Sequence, residues 1–327
     1  MSNPDRPLVS ILVVSWNGLD LLERYFGHVV ERTLADDPRH EIILVDNGSV
    51  DETMAFVTSR FPGVKTLRLE QNQGFGGGAN AGARLATHPI LAILNNDAEP
   101  TPGFLQPLPG LFADPALFAV MARSLVTTRD MQEEAAQRLR FRRGRLVPVT
   151  DPAFAAKATS TLPILYASGG MMAFHREHFM ELGGFDDLFR PAYWEDVDLS
   201  MRAWRRGWKV LYEPSSVMHH QHRATNFRPE LRAEYLVIAN RNWHLFAWKH
   251  LDGARLWSRY AAWEAAYILH GLLTGDPLRL KALFRALPLL PRALRGRAAE
   301  RAEGATRGSE ILARFGALEW LGDRSEA

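Results

Sequence analysis

The sequence predicts an α/β protein, with a parallel sheet wrapped by helices in its first part and a helical region at its C-terminal end. Three observations carry this. Short apolar runs alternate with segments of helical spacing from residue 8 to residue 94, which calls for right-handed crossovers between parallel strands. The predicted strands end in polar residues, Ser15-Trp16-Asn17, Asp46-Asn47-Gly48-Ser49, Asn72-Gln73-Gly74 and Asn95-Asn96-Asp97. In a parallel sheet these share one rim, where open α/β sheets bind ligands. From residue 228 onward leucines, aromatics and arginines recur at helical spacing.

Residues 8–14 are continuously apolar and β-branched, as a strand buried on both faces requires. Residues 19–30 place Leu21, Leu22, Tyr25, Phe26 and Val29 on one helical face. A strand is expected over 41–45, then a helix over 51–60 capped by Ser49 or Asp51. A third strand is expected over 64–69. The glycine-rich stretch Asn72-Gln73-Gly74-Phe75-Gly76-Gly77-Gly78 reads as a loop leading into a helix over 79–86. Residues 90–94 form the next buried strand, and Pro100 and Pro102 are expected to stop regular structure beyond it. Asp97 then sits just past a central strand end, where a hard cation holding a diphosphate needs a carboxylate. A simple Asx turn uses the same residues.

Residues 104–112 read as a short helix, 118–125 as a strand, and the basic cluster 138–145 as a solvated loop that could also assist a diphosphate. Gly183-Gly184-Phe185-Asp186 forms a turn. A helix follows, with Val197, Met201, Trp204 and Trp208 as its buried stripe. Glu195, Asp196 and Asp198 crowd its first turn beside Tyr193 and Trp194. The helix dipole accounts for one acid there, and three exceed what capping requires. Short strands are expected over 209–212 and 217–218, followed by His219, His220 and His222, a candidate metal cluster. His220 and His222 share a face.

Composition narrows the classes. The 327 residues are 46% hydrophobic, enough for a large core. The net charge of +2 favours no particular partner, and no nucleic acid is expected. The absence of cysteine excludes thiolate catalysis, disulfides and cysteine metal sites. Residues 8–14 lack the basic lead and cleavage site of a secretory leader. No run reaches the roughly 18 apolar residues of a spanning helix. Gly74-x-Gly76-x-x-Ala79 fits a dinucleotide-binding fingerprint, though after the third strand rather than the first. A dinucleotide-binding oxidoreductase and a non-catalytic carbohydrate-binding module are the competing readings.

Taken together, residues 9–225 resemble the family 2 glycosyltransferases, inverting enzymes. The matching motifs are Val14-Ser15-Trp16-Asn17, Val45-Asp46-Asn47-Gly48-Ser49, Asn95-Asn96-Asp97, Gly183-Gly184-Phe185-Asp186, and Glu195-Asp196-Val197-Asp198-Leu199 with Arg202. The resemblance implies the GT-A fold, a Rossmann-like mixed sheet flanked by helices, over 1–227, with a helical extension over 228–327. It implies Asp196 as catalytic base. Ser15, Asn17, Asp46, Asn72, Gly74, Phe75, Gly76, Asn80, Asn95 and Asn96 would bind the nucleotide-sugar donor. Gly169, Gly170, Trp194 and Glu195 would lie at the acceptor. Asp97 with His220 or His222 would hold a divalent cation, Mg²⁺ or Mn²⁺. Asn95 replaces the first aspartate of the family's metal motif, so Asp97 is its only carboxylate. The stretch from Asn72 to Gly82 is similar to the branch using dTDP-rhamnose. That implies transfer of rhamnose, or of another nucleotide-linked sugar, to a glycan or lipid-linked acceptor in cell-surface polysaccharide synthesis.

The C-terminal region places Trp257, Tyr260, Trp263 and Tyr267 on one helix face, followed by arginines among leucines. This composition fits a helix lying on anionic lipid at the cytoplasmic membrane face. A helical cap or a dimer surface would use the same residues.

Overall fold

Strand β1 (Val9–Ser15) lies between β2 (Glu41–Asp46) and β4 (Ile90–Asn95), parallel to both. The structure, a computed structural model, describes residues 6–126, 138–149, 158–168, 171–220, 232–303 and 306–318. Strand β3 (Lys65–Arg68) extends the parallel set beyond β2. On the other side the sheet turns mixed. Strand β10 (Met171–His175) runs antiparallel to β4 and to β6 (Leu117–Val126), and β11 (Lys209–His220) runs parallel to β6. Strand β5 (Ala98–Pro100) pairs antiparallel with β11 at the edge, and β9 (Leu162–Pro163) pairs with β11 from outside the main order.

The strands are apolar on both faces because each face carries its own core. One core gathers Val9, Ile11 and Val13 of β1 with Phe26, Phe104 and Leu105. The other joins Leu12, Ile43 and Ile93 to Phe174, Trp204 and the C-terminal residues Trp243, Leu245 and Phe246.

Four expectations change. Regular structure does not stop with β4: Ala98–Pro100 add β5, an edge strand that ends at Pro100, where a missing N–H costs no ladder bond. The glycine-rich stretch is not a loop but the first turns of helix Gly74–Leu85. Only Gly74 there has positive φ (73°). The other glycines are small for packing: a Cβ on Gly78 would stand 2.7 Å from Val14 Cγ1, and one on Gly82 2.2 Å from Leu12 Cδ1. Tertiary packing overrides the weak helix propensity of glycine. Residues 138–145 are not a solvated loop but a hairpin, β7 (Arg138–Arg142) and β8 (Arg145–Val149), closed at Arg143-Gly144 with φ of 47° and 75°. Its arginines alternate with buried Leu139 and Phe141, a period-two pattern masked by charge. Residues 209–220 form one strand with an irregularity between Glu213 and Val217 instead of two short strands.

Helix Leu19–Asp36 begins at Gly18, which has no capping side chain. Asp51 supplies the cap from 32 residues away, its Oδ2 accepting from Leu19 N at 3.1 Å. Asp51 also accepts from Thr53 N, where helix Thr53–Arg60 starts. The C-terminal region forms helices Arg232–His250, Ala254–Thr274, Leu278–Ala286, Leu290–Glu303 and Gly308–Arg314. Its aromatic stripe is turned toward the protein. Tyr260 is buried against Trp243 and Trp257, Trp263 backs the turn at Gly144, and Tyr267 stacks under Arg279.

Candidate active site

The parallel register sets the strand ends side by side: Ser15 pairs with Asp46, and Val14 with Asn95. The ends are then cross-linked. Asn96 Nδ2 donates to Ser15 Oγ at 3.2 Å. Asn17, in the left-handed region (φ 47°), donates its N–H to Ser49 Oγ and accepts from Val50 N. Asp46 is buried, accepts from Ser49 N at 2.9 Å, and has Arg68 Nε at 3.6 Å.

Asn47, absent from the predicted site, is the hub of this rim. Its amide donates to Asn72 Oδ1 and Gly74 O, and accepts from Gln73 N. Asn72 in turn accepts from Gly74 N at 2.8 Å. No sequence signal separates Asn47 from the turn residues around it.

Asp97 meets His220 because β5, which begins at Ala98, pairs with the end of β11 through Ala98 and His220. Both side chains are buried, and Asp97 Oδ1 lies 3.1 Å from His220 Nε2. Asn95 Nδ2 lies 3.1 Å from the same nitrogen. Nε2 carries either a proton, which it gives to Asp97, or one lone pair, which accepts from Asn95 or binds a cation. Asp97 Oδ1 takes no hydrogen bond among the described residues. A neutral ring nitrogen and a carboxylate oxygen 3.1 Å apart are both ligands for Mn²⁺. Among the described residues no group of three His, Asp or Glu side chains is arranged as a metal site. Further ligands would have to come from a bound diphosphate or solvent. His222, Gly169 and Gly170 lie outside the described residues.

The second part of the site is the start of helix Glu195–Arg205. Tyr193 and Trp194 before it both take positive φ, 75° and 76°, a backbone state that non-glycine residues hold only when their surroundings impose it. The surroundings belong largely to helix Arg232–His250. Asn242 Nδ2 donates to the carbonyls of Phe189, Ala192 and Tyr193, and Trp194 packs on Trp243 and Phe246. Asp198 is fully buried against Lys249 Nζ (2.6 Å), Arg202 Nε (2.8 Å) and His250 Nε2 (2.7 Å). Burial opposes its ionisation, but Lys249, Arg202 and His250 hold its carboxyl well below the usual range. Arg202 also donates to the carbonyls of Leu182 and Gly184, fixing the glycine turn.

Asp196 is half-buried, its Oδ1 accepting from Val197 N at 2.8 Å. Glu195 beside it is buried, with Oε2 accepting no hydrogen bond among the described residues. Burial and then the Asp196 charge push the Glu195 carboxyl well up. Phe75, Gly76 and Asn80, predicted at the donor, dock this segment onto helix Gly74–Leu85. Phe75 N donates to Pro191 O, Gly76 lies against Phe185 Cβ, and Asn80 bonds both backbone groups of Phe185.

The family described as Glycosyl transferase family 2 matches residues 10–183. N-acetylglucosaminyl-diphospho-decaprenol L-rhamnosyltransferase of Mycobacterium tuberculosis (strain ATCC 25618 / H37Rv) is 25% identical over 85% of this chain and 94% of its own length. Polypeptide N-acetylgalactosaminyltransferase 8 of Drosophila melanogaster is 30% identical over 68% of this chain, which spans only 39% of that protein. Among solved structures, GalNAc-T7 with UDP, GalNAc and Mn²⁺ aligns with a TM-score of 0.59 at 21% identity, over 76% of this chain and 49% of its own. The mannosyltransferase PcManGT from Pyrobaculum calidifontis, with GDP-Man and Mn²⁺, aligns at 0.52 and 21% identity, over 96% and 81%.

Proposed function

The chain belongs to glycosyl transferase family 2 and has the GT-A fold, and from that premise we propose an inverting transferase acting on a nucleoside diphosphate sugar. The observation that carries the reading is Asp97 Oδ1, buried without a hydrogen bond and facing His220 Nε2 at 3.1 Å. Asp97 and His220 would hold a divalent cation, which offsets charge on a departing nucleoside diphosphate. Asp46 accepts a hydrogen bond from the donor's pyrimidine, with Ser15 and Asn17 beside the nucleoside. Asp196 takes the proton from the attacking acceptor hydroxyl. Attack from the face opposite the leaving group inverts the anomeric carbon through an oxocarbenium-like state, as in glycoside hydrolysis.

We take the donor to be dTDP-rhamnose and the acceptor a lipid-linked glycan, with the chain working at a membrane surface. The rhamnosyltransferase relative, matched over nearly its whole length, supports this choice. The GalNAc-transferase relatives favour a UDP-linked amino sugar as the second reading. A panel of nucleotide sugars, scored by thermal stabilisation with and without Mn²⁺, separates them. The largest shift is expected with dTDP-rhamnose, lost in chelator and in Asp97→Ala. A larger shift with UDP-GalNAc overturns the donor assignment, and a shift indifferent to Mn²⁺ overturns the cation.

A further inference from the structure

Two of the C-terminal helices bury only small residues fully, and large apolar ones beside them stay exposed. In Leu278–Ala286 and Leu290–Glu303, the fully buried positions are Ala282, Ala286 and Ala293. Gly296 lies against the Lys249 methylenes. Phe284, 63% exposed, faces out together with Leu287 and Leu294. In Ala254–Thr274 the last buried residue is Gly271, whereas Leu272 and Leu273 are 62% and 79% exposed. An ordinary surface helix does the reverse, turning its apolar stripe to the core. Close helix packing explains the inward alanines and leaves the outward leucines unexplained. Singly scattered surface apolar residues are normal. Here, however, six of the eleven exposed large hydrophobics among the described residues fall between 269 and 294.

Charge selects what covers them. Residues 269–295 carry five arginines and lysines against one acid, Asp276. Arg285 is held by Glu234 and Arg292 by Asp186. Lys281 and Arg295 are exposed, and their side chains have no hydrogen bond or ion pair among the described residues. In a two-fold contact between copies, these unpaired cations would meet a surface of the same sign. A lipid surface bearing negative headgroups pairs with them and takes up the apolar side chains. No helix among the described residues is long and apolar enough to cross a membrane, so the contact is peripheral.

We propose that the outward face of residues 269–295 docks on anionic lipid. Leu272, Leu273 and Phe284 enter the headgroup–acyl boundary, and Lys281 and Arg295 pair with lipid phosphates. The inference rests on the membrane-surface part of the proposed function and is independent of which sugar is transferred.

The test is co-sedimentation of the full chain with vesicles of phosphatidylcholine alone or with phosphatidylglycerol, over a salt series. Binding is expected only with the anionic lipid and should weaken as salt rises. Leu272→Ser with Leu273→Ser and Phe284→Ser should lower it by about tenfold or more. Lys281→Glu and Arg295→Glu should each lower it about fivefold. All five positions are exposed, and unchanged melting temperatures exclude misfolding. Donor-induced stabilisation, which reads the transferase site, should not change in either set. No binding by the wild type, or equal binding by both variant sets, overturns the proposal. So does a dimer that dissociates on the leucine substitutions without any vesicle binding.

Discussion

On the donor side of the site, strand ends within the first hundred residues bond to one another, with Asn47 and Ser49 closing the net. On the base side, Asn242, Trp243, Lys249 and His250 reach across from helix Arg232–His250 to hold residues 186–198. The proposed donor rim thus lies within the first hundred residues and is built mainly of amide and hydroxyl hydrogen bonds, with Asp46 as its carboxylate. The base side is assembled from segments about fifty residues apart, around a buried charge. The C-terminal helices therefore help to build the proposed site, whatever else they contact. The difference also separates two kinds of damage, loss of donor binding and loss of turnover.

The largest expected effect is on turnover. Asp196→Asn keeps the side chain's shape but cannot accept a proton, and should cost about 10²–10⁴-fold. Donor affinity should hold, since the proposed nucleotide contacts lie at the strand ends. Turnover within about threefold of wild type would move the base to another carboxylate.

Asp198→Ala attacks the scaffold instead. It strands Lys249 and Arg202 in the interior, and breaking a buried pair in this way costs about 3–5 kcal/mol. Denaturant melts should show that loss, whereas a loss under about 1 kcal/mol would mean the cluster is solvated. On the donor side the corresponding lesion is steric. Gly82→Ala puts a methyl 2.2 Å from Leu12 Cδ1 and should destabilise by about 1–3 kcal/mol through overpacking. A neutral result would show that helix Gly74–Leu85 can shift off β1.

The smallest effect is a pH slope. Glu195 has a raised native pKa, so it binds its proton more tightly folded than unfolded. The stability this contributes is full below its ordinary value of 4.5 and is lost as pH rises through the folded value. Glu195→Gln should therefore melt higher than wild type at neutral pH, with the gap closing toward pH 4. A gap constant with pH would mean that Glu195 is solvated. Glu41 runs the opposite way. Burial opposes its ionisation, but Lys65, Ser10 and Thr87 lower it to about 2, so its contribution is lost as pH falls below the ordinary range.

The parallel half of the fold was legible because β1, β2 and β4 are apolar on both faces and end in polar residues. The helix at Glu195 was legible from its stripe, three of whose residues, Val197, Met201 and Trp204, are buried within it. The helix at Gly74 was not, because its reason is contact with Val14 and Leu12, which glycine composition cannot announce. Asp51 as a distant cap, Asn47 as a hub and Asn242 as a clamp were hidden for the same reason. Each acts on backbone groups whose proximity only the tertiary fold creates. The aromatic stripe of Ala254–Thr274 was found, but its direction was not: it faces Trp243 and the hairpin, and the leucines beyond it face out.

The division between the two sides is tested most directly by Asn242→Ala, which removes the amide bonds to Phe189, Ala192 and Tyr193 and touches nothing on the donor rim. Turnover and donor Kd are measured on the same preparation. Turnover should fall by about tenfold or more, as misplacing a catalytic group does, with donor Kd within about twofold of wild type. Equal losses in both, or turnover left intact, would contradict that division.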